Sequence, residues 1–136
     1  MPSKLPRCKT GRCERIARIL GYCKTHAVKL ADKRFSLRIR EEGRCYGQTK
    51  FWLGPTFPCA GPLHCAHLFS RRYRNVRWDD RNAVPLCAGH HKWFDTHPIE
   101  KDDMMLEHLE HEYTELHDLA LEHGDWYEKL EEVLND

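Results

Sequence analysis

Seven cysteines and ten histidines in 136 residues are the side chains with most chemistry to offer, and their spacing sorts them into groups. The first is Cys8-x4-Cys13-x9-Cys23-x2-His26. Three thiolates and an imidazole ending in a tight Cys-x2-His are a donor set for tetrahedral zinc. Gly11 and Gly21 stand shortly before ligands, where a tight turn must present a sulfur. A closed four-ligand site leaves no open position for a reactant, so its predicted role is structural. Zinc then supplies folding free energy on the order of 10 kcal/mol, which so short a segment cannot find in an apolar core. The second group is Cys45, Cys59, Cys65, Cys87 and His90. Cys87-x2-His90 is a half-site at a predicted helix start, and Cys45 with Cys59 is one candidate for its partner half. Cys65 competes for that place, or is a small buried residue on a strand.

A third concentration runs His64-Cys-Ala-His67-Leu-Phe-Ser-Arg-Arg-Tyr73, then Arg77-Trp-Asp-Asp-Arg-Asn82-Ala-Val-Pro-Leu-Cys87-Ala-Gly-His-His91. Histidine can accept a proton from water near neutral pH. Arginines suit bidentate contact with phosphate, and Arg71, Arg72, Arg74 and Arg77 crowd the segment after His67. These four are the candidate DNA-binding residues. Histidines His108, His111, His117 and His123 lie on an acidic helical stretch and receive no role.

This third stretch resembles the HNH endonucleases (the His-Me finger or ββα-metal family), the phage forms in particular, with some similarity to the NinG recombination proteins. His67 at the end of a short strand, Asn82 after an Asp-rich step, and His91 nine residues later carry the likeness, over about residues 45–97. The resemblance implies a metal-dependent DNA endonuclease that nicks or cuts both strands. His67 would be the general base, His91 a ligand of one divalent ion such as Mg²⁺ or Mn²⁺, and Asn82 the residue that fixes the loop and touches histidine or ion. The Cys8–His26 group resembles the small zinc knuckle preceding some phage HNH nucleases. HNH proteins with a structural zinc usually supply a cysteine pair upstream of the first histidine, so the resemblance selects Cys45 and Cys59 to join Cys87 and His90. Two structural zinc ions then accompany the catalytic one. The family places Asp or His immediately before the base, whereas this chain has Ala66. His64, Cys65, Asp79, Asp80 and Asp95 are the candidates to replace it. Two other readings stay open: a resolvase of branched, Holliday-type DNA, and a non-catalytic zinc-stabilised DNA-binding module, for which Ala66 is the chief support.

The elements that must hold these groups follow from periodicity and punctuation. Thr25 to about Glu42 forms a basic amphipathic helix with Val28, Leu30, Ala31, Phe35, Leu37 and Ile39 on its apolar side, ended by Gly43 at C′. Residues 1–7 carry no pattern, and 44–62, with Tyr46, Phe51, Trp52 and Phe57, form an irregular loop. A hairpin of short strands is predicted over 63–78, a turn at Trp78–Arg81, and a short helix from Leu86 to Phe94. Thr96 caps a new helix with Pro98 in its first turn. Leu106, Leu109, Tyr113, Leu116 and Ala120 make one stripe along it. Gly124 breaks that helix, Asp125 restarts it, and Leu130, Val133 and Leu134 close the chain. The expected fold is α+β: zinc knuckle and basic helix over 1–43, HNH core over 44–97, acidic helices over 98–136.

Charge divides the chain more sharply than its net +1 suggests. Residues 1–94 hold 20 Lys/Arg against 6 Asp/Glu, and residues 95–136 hold 2 against 15. A basic body of that size is the footprint of a nucleic-acid binder. The acidic part is repelled by DNA, and is expected to pack behind the nuclease core or to make a homodimer contact. A larger phage DNA-processing complex is the other partner considered. No run spans a membrane and no secretory signal is visible, so the expected location is intracellular, in the bacterial host's cytoplasm if phage-encoded.

Overall fold

The computed structural model describes residues 5–49, 58–122 and 126–135. The start of the chain, the aromatics Phe51, Trp52 and Phe57, His123, and the break at Gly124 and Asp125 lie outside the described residues.

The architecture is α+β, six helices around one two-stranded antiparallel sheet among the described residues. Strand β1 (Leu63–His67) pairs with β2 (Ala83–Cys87) in a register running from Leu63 opposite Cys87 to His67 opposite Ala83. Residues 68–82 are therefore not the second arm of a hairpin, as periodicity suggested. They form a loop containing 3₁₀ turns at Arg74–Val76 and Asp80–Asn82. The returning strand is Ala-Val-Pro-Leu-Cys, and it is buried throughout. Its pattern misleads because both faces are covered. Val84 and Leu86 enter one apolar cluster with Ala66, Phe94, Met105 and Leu116. Ala83 enters the other, with Phe35, Ile39, Trp78, Leu130 and Val133.

Helix α1 (Lys24–Arg40) lies across the second face, burying Ala27, Ala31, Phe35 and Ile39 at helical spacing. Leu37, expected on that side, is 46% exposed. Gly43, with φ +71°, stands two residues beyond the Glu41 cap rather than one. A single helical turn, α2 (Tyr46–Thr49), interrupts the expected loop. Helix α3 (Ala88–Asp95) begins directly after β2, so Leu86 and Cys87 belong to the strand and the cap. Thr96 ends α3, its hydroxyl donating to the carbonyls of Lys92 and Trp93, and His97 is the N-cap of the next helix. That helix, α4 (Pro98–Leu109), is separated from α5 (Tyr113–Leu121) by a 3₁₀ turn. Glu110 takes φ +51°, a region that side-chain-bearing residues seldom adopt, so the predicted stripe is not continuous. Met104 and Met105 are buried where Leu106 is 48% exposed. Helix α6 (Tyr127–Asn135) packs on α1 through Leu130, Val133 and Leu134, joining the two ends of the chain in one core. No helix among the described residues is long and apolar enough to cross a membrane.

Candidate active site and metal centres

Two helix starts present metal donors by the same device. Cys23 is the N-cap of α1, with extended backbone, and His26 lies in the first helical turn. Cys87 is the N-cap of α3, with nearly the same backbone angles, and His90 lies one turn on. A cap residue followed three positions later by a first-turn histidine brings sulfur and imidazole to one side of the helix end. The remaining donors come from loops. Gly11 (φ +47°) and Gly21 (φ +88°) turn the knuckle backbone ahead of Cys13 and Cys23.

Cys8, Cys13, Cys23 and His26 place their ligand atoms within 4.8 Å of one another, and so do Cys45, Cys59, Cys87 and His90. In the first cluster His26 Nδ1 is 3.3 Å from both Cys8 and Cys23, and the sulfurs of Cys13 and Cys23 are 3.9 Å apart. In the second, His90 Nδ1 is 3.4 Å from Cys45, 3.5 Å from Cys59 and 3.0 Å from Cys87. Bond lengths of about 2.3 Å to sulfur and 2.0–2.1 Å to nitrogen give tetrahedral edges of roughly 3.6 Å (S···N) and 3.8 Å (S···S). Both donor sets therefore fit one tetrahedral ion each. Although burial raises it, the Cys87 thiol is held down at about 6, because the backbone N–H groups of His90 and Ala60 donate to its sulfur. Burial and the neighbouring Cys45 and Cys87 sulfurs push Cys59 up to about 12. Cys65 is not part of the cluster; it packs against the α1 core, where burial raises its thiol to about 11.

One residue beyond His90, α3 turns His91 the other way, into a cleft of about 750 Å³ shared with His64, His67 and Arg71. His91 Nδ1 lies 3.1 Å from His64 Nδ1. Two nitrogens bound to one ion at about 2.1 Å would be roughly 3.0–3.4 Å apart, so this imidazole pair also fits a shared ion. Asp95 Oδ2 stands 3.5 Å from His91 Nε2, on the ring's far side. Burial lowers the His91 pKa, Asp95 opposes this, and His64 and Lys101 add to it. Of the other candidates for the place left by Ala66, Asp79 caps the 3₁₀ turn and pairs with Arg81, while Asp80 pairs with Arg38. His64 and Asp95 are the two that reach His91, His64 at Nδ1 and Asp95 at Nε2.

His67 occupies the end of β1, and its Nε2 lies 2.9 Å from the carbonyl of Arg77. A carbonyl only accepts, so Nε2 carries the proton and Nδ1 is left with its lone pair. Phe35 covers the ring, centroid to centroid 5.5 Å. Burial lowers the His67 pKa, which the Arg77 carbonyl partly offsets and Arg71 reinforces.

The loop from Leu68 to Asn82 is tied by two polar devices, one buried and one partly exposed. Asn82 is fully buried. Its Oδ1 accepts from the Phe69 N–H at 2.6 Å, and its Nδ2 donates to the carbonyls of Phe69 and Val76. The expectation that Asn82 also binds the ion is not met, since its carboxamide is buried and occupied within the loop. Asp32 of α1 forms the second tie, accepting from Arg77 Nε at 2.9 Å, Arg77 Nη2 at 2.6 Å and Trp78 Nε1 at 2.9 Å. Arg77 is thus held by a carboxylate, not offered to DNA as the arginine cluster suggested. Arg71 is exposed at the cleft, Arg72 donates to the Tyr73 hydroxyl, and Arg74 lies over the Trp126 ring at 4.7 Å. The cleft also takes Lys33, Ser36 and Arg40 from α1 and Lys101 from α4, none of them singled out from sequence. Their signal was available: Lys33, Ser36 and Arg40 repeat at helical spacing on the face opposite the apolar one.

Residues 37–99 match the family model of the HNH endonuclease. Comparison with curated proteins found no match, and comparison with solved structures found none. The matched segment spans His64, His67, Asn82, the Cys45–His90 cluster and His91, and leaves the knuckle and the acidic helices outside it. Over residues 37–99, then, the chain carries a segment similar to the HNH endonuclease domain.

Proposed function

We propose that this protein hydrolyses DNA phosphodiester bonds, with His67 as general base and His91 and His64 as ligands of one divalent ion. The observation that carries the reading is the Arg77 carbonyl on His67 Nε2, beside the His64–His91 pair in one cleft. That hydrogen bond fixes the tautomer, so Nδ1 is the basic nitrogen and can take a proton from an attacking water. When bound, the ion supplies Lewis-acid stabilisation of charge on the phosphate and the departing oxygen. His64 and His91 hold it from two elements, β1 and α3, that are fixed by the strand pairing and by the second cysteine cluster. Imidazole ligands suit Mn²⁺, Ni²⁺ or Zn²⁺ better than Mg²⁺. Asn82 and Asp32 hold the loop whose carbonyl orients the base. Arg71, Arg40, Lys33 and Lys101 supply the positive rim that draws a phosphate backbone across the cleft. Cys8, Cys13, Cys23 and His26 hold one structural zinc, and Cys45, Cys59, Cys87 and His90 another.

The test is nicking of supercoiled plasmid across Mg²⁺, Mn²⁺, Ni²⁺ and Zn²⁺. The wild-type chain converts plasmid to open circles with at least one ion, and His67→Ala binds DNA as before but loses about 10²–10⁴-fold in rate. A wild-type chain that binds DNA and cuts with none of these ions makes the molecule a zinc-stabilised binding module instead.

A further inference from the structure

Helix α1 carries more than the wall of the cleft. Its solvent side bears Thr25, Lys29, Lys33, Ser36 and Arg40, spaced three or four residues apart along one face, with Lys24 at its head. The cleft around His67 ends at Asp32 and Arg71, and those two residues also bound a second hollow of about 580 Å³. That hollow takes Lys24, Lys29 and Arg74, and through Thr25 and Lys29 it adjoins a third depression on the knuckle, where Arg12 and Arg15 stand. The depressions thus form one line from the cleft to the Cys8–His26 cluster.

Three of the cations on this line, Lys24, Arg74 and Arg15, are placed by specific contacts. Trp126 of the C-terminal segment lies between two of them, with Lys24 Nζ 5.1 Å and the Arg74 guanidinium 4.7 Å from its ring. Such contacts order long side chains that would otherwise lose entropy on meeting a ligand. Arg15 is ordered in turn by donating to the Thr25 hydroxyl at 2.7 Å. The acids on the line are Glu14 and Asp32, and Asp32 is already taken by Arg77 and Trp78.

We propose that this line is a second DNA-contact surface. The phosphate backbone of a duplex leaving the cleft passes Arg71, continues along α1 over Lys29, Lys24 and Arg74, and reaches the knuckle at Arg12 and Arg15. The inference rests on the nuclease reading for its starting point, while Lys24, Lys29, Arg12 and Arg15 lie outside the segment matched by the family model. Seventeen residues of helix are about 25 Å long, or roughly seven base pairs of duplex at 3.4 Å each. The knuckle is then a distal phosphate clamp as well as a folding device.

The test uses the full chain carrying His67→Ala, so that DNA is not consumed, and a duplex of some twenty base pairs. Binding is followed by fluorescence anisotropy across a salt series. Adding Lys24→Ala, Lys29→Ala and Arg74→Ala together weakens binding roughly tenfold or more, and reduces the slope of log Kobs against log salt by about 3. Arg12→Ala with Arg15→Ala reduces it by about 2. Metal content and melting temperature equal to the parent's establish that each variant is folded. Lys29→Glu, a single exposed change, gives the same direction if the triple variant does not fold. Unchanged affinity and slope in folded variants overturn the proposal, as does loss of a dimer with duplex binding intact, which would assign the surface to the acidic helices of a second copy. Failure of the parent itself to bind duplex overturns the nuclease reading instead.

Discussion

His90 and His91 are neighbours on α3, yet they serve two unlike places. His90 is buried among three sulfurs, and those four donor atoms lie within 4.8 Å of one another, close enough for one tetrahedral ion. His91, about 100° further round the helix, meets one other imidazole at the edge of an open cleft. The soft, closed set can hold an ion but offers no vacant position, whereas the pair at the cleft leaves most of an ion's coordination to water and substrate. A single helix start thereby joins the His64–His91 pair to the Cys45–His90 cluster. Damage to one should be felt as stability, and damage to the other as rate.

The largest effect expected breaks the closed set. Cys87→Ala removes both the α3 cap and one of four ligands, so the protein retains one zinc in place of two by metal analysis. Structural zinc in small sites contributes on the order of 10 kcal/mol, so the variant's melting transition is lowered severely or lost. His64→Ala, by contrast, touches an exposed ring and leaves melting nearly unchanged. Next comes the loop between the two regions. Asn82→Ala leaves the Phe69 N–H and carbonyl without these partners, and takes one of two donors from the buried Val76 carbonyl, which keeps the Asp79 N–H. At about 1–3 kcal/mol for each unmet buried group, a loss of roughly 3 kcal/mol or more is expected in chemical denaturation. Nicking falls as well, because the loop whose Arg77 carbonyl meets His67 loosens.

The closed set was far more legible in the sequence than the open pair. Cysteine spacing alone nominated Cys8, Cys13, Cys23 and His26, because soft ligands at helix starts have few other uses, whereas the preference for Cys45 and Cys59 over Cys65 needed the family resemblance. His67 and His91 were legible only through their order with Asn82. Nothing local marked His64 over Asp79 or Asp80, because the choice depends on the β1–β2 register, which no residue type announces. The hairpin over 63–78 failed for a related reason: β2 is covered on both faces and shows no alternation. Arg77 looked like its neighbours in sequence, and only the fold brings Asp32 to it across α1. The break at Glu110 has no glycine or proline to signal it.

A smaller effect separates the base from the scaffold by pH. Burial holds the His67 pKa below its ordinary 6.5, so the neutral form needed of a base persists below that value. The acid limb of the nicking rate at saturating ion therefore inflects below 6.5, and it is missing from the residual rate of His67→Ala. Stability follows the same sign. The unfolded chain protonates this residue first as pH drops, so its contribution is complete above 6.5 and is lost as pH falls through the folded value.

The division of labour within the cleft is tested most directly by the nicking rate as a function of divalent-ion concentration, for the wild type, His64→Ala and His67→Ala. His64→Ala should need roughly tenfold more ion or beyond for half-maximal rate, as expected for a lost contact to the metal. His67→Ala should be slow at every concentration, about 10²–10⁴-fold below wild type, with its half-maximal ion concentration unmoved. A shift in ion requirement for His67→Ala, or none for His64→Ala, would contradict the assignment of base and ligand.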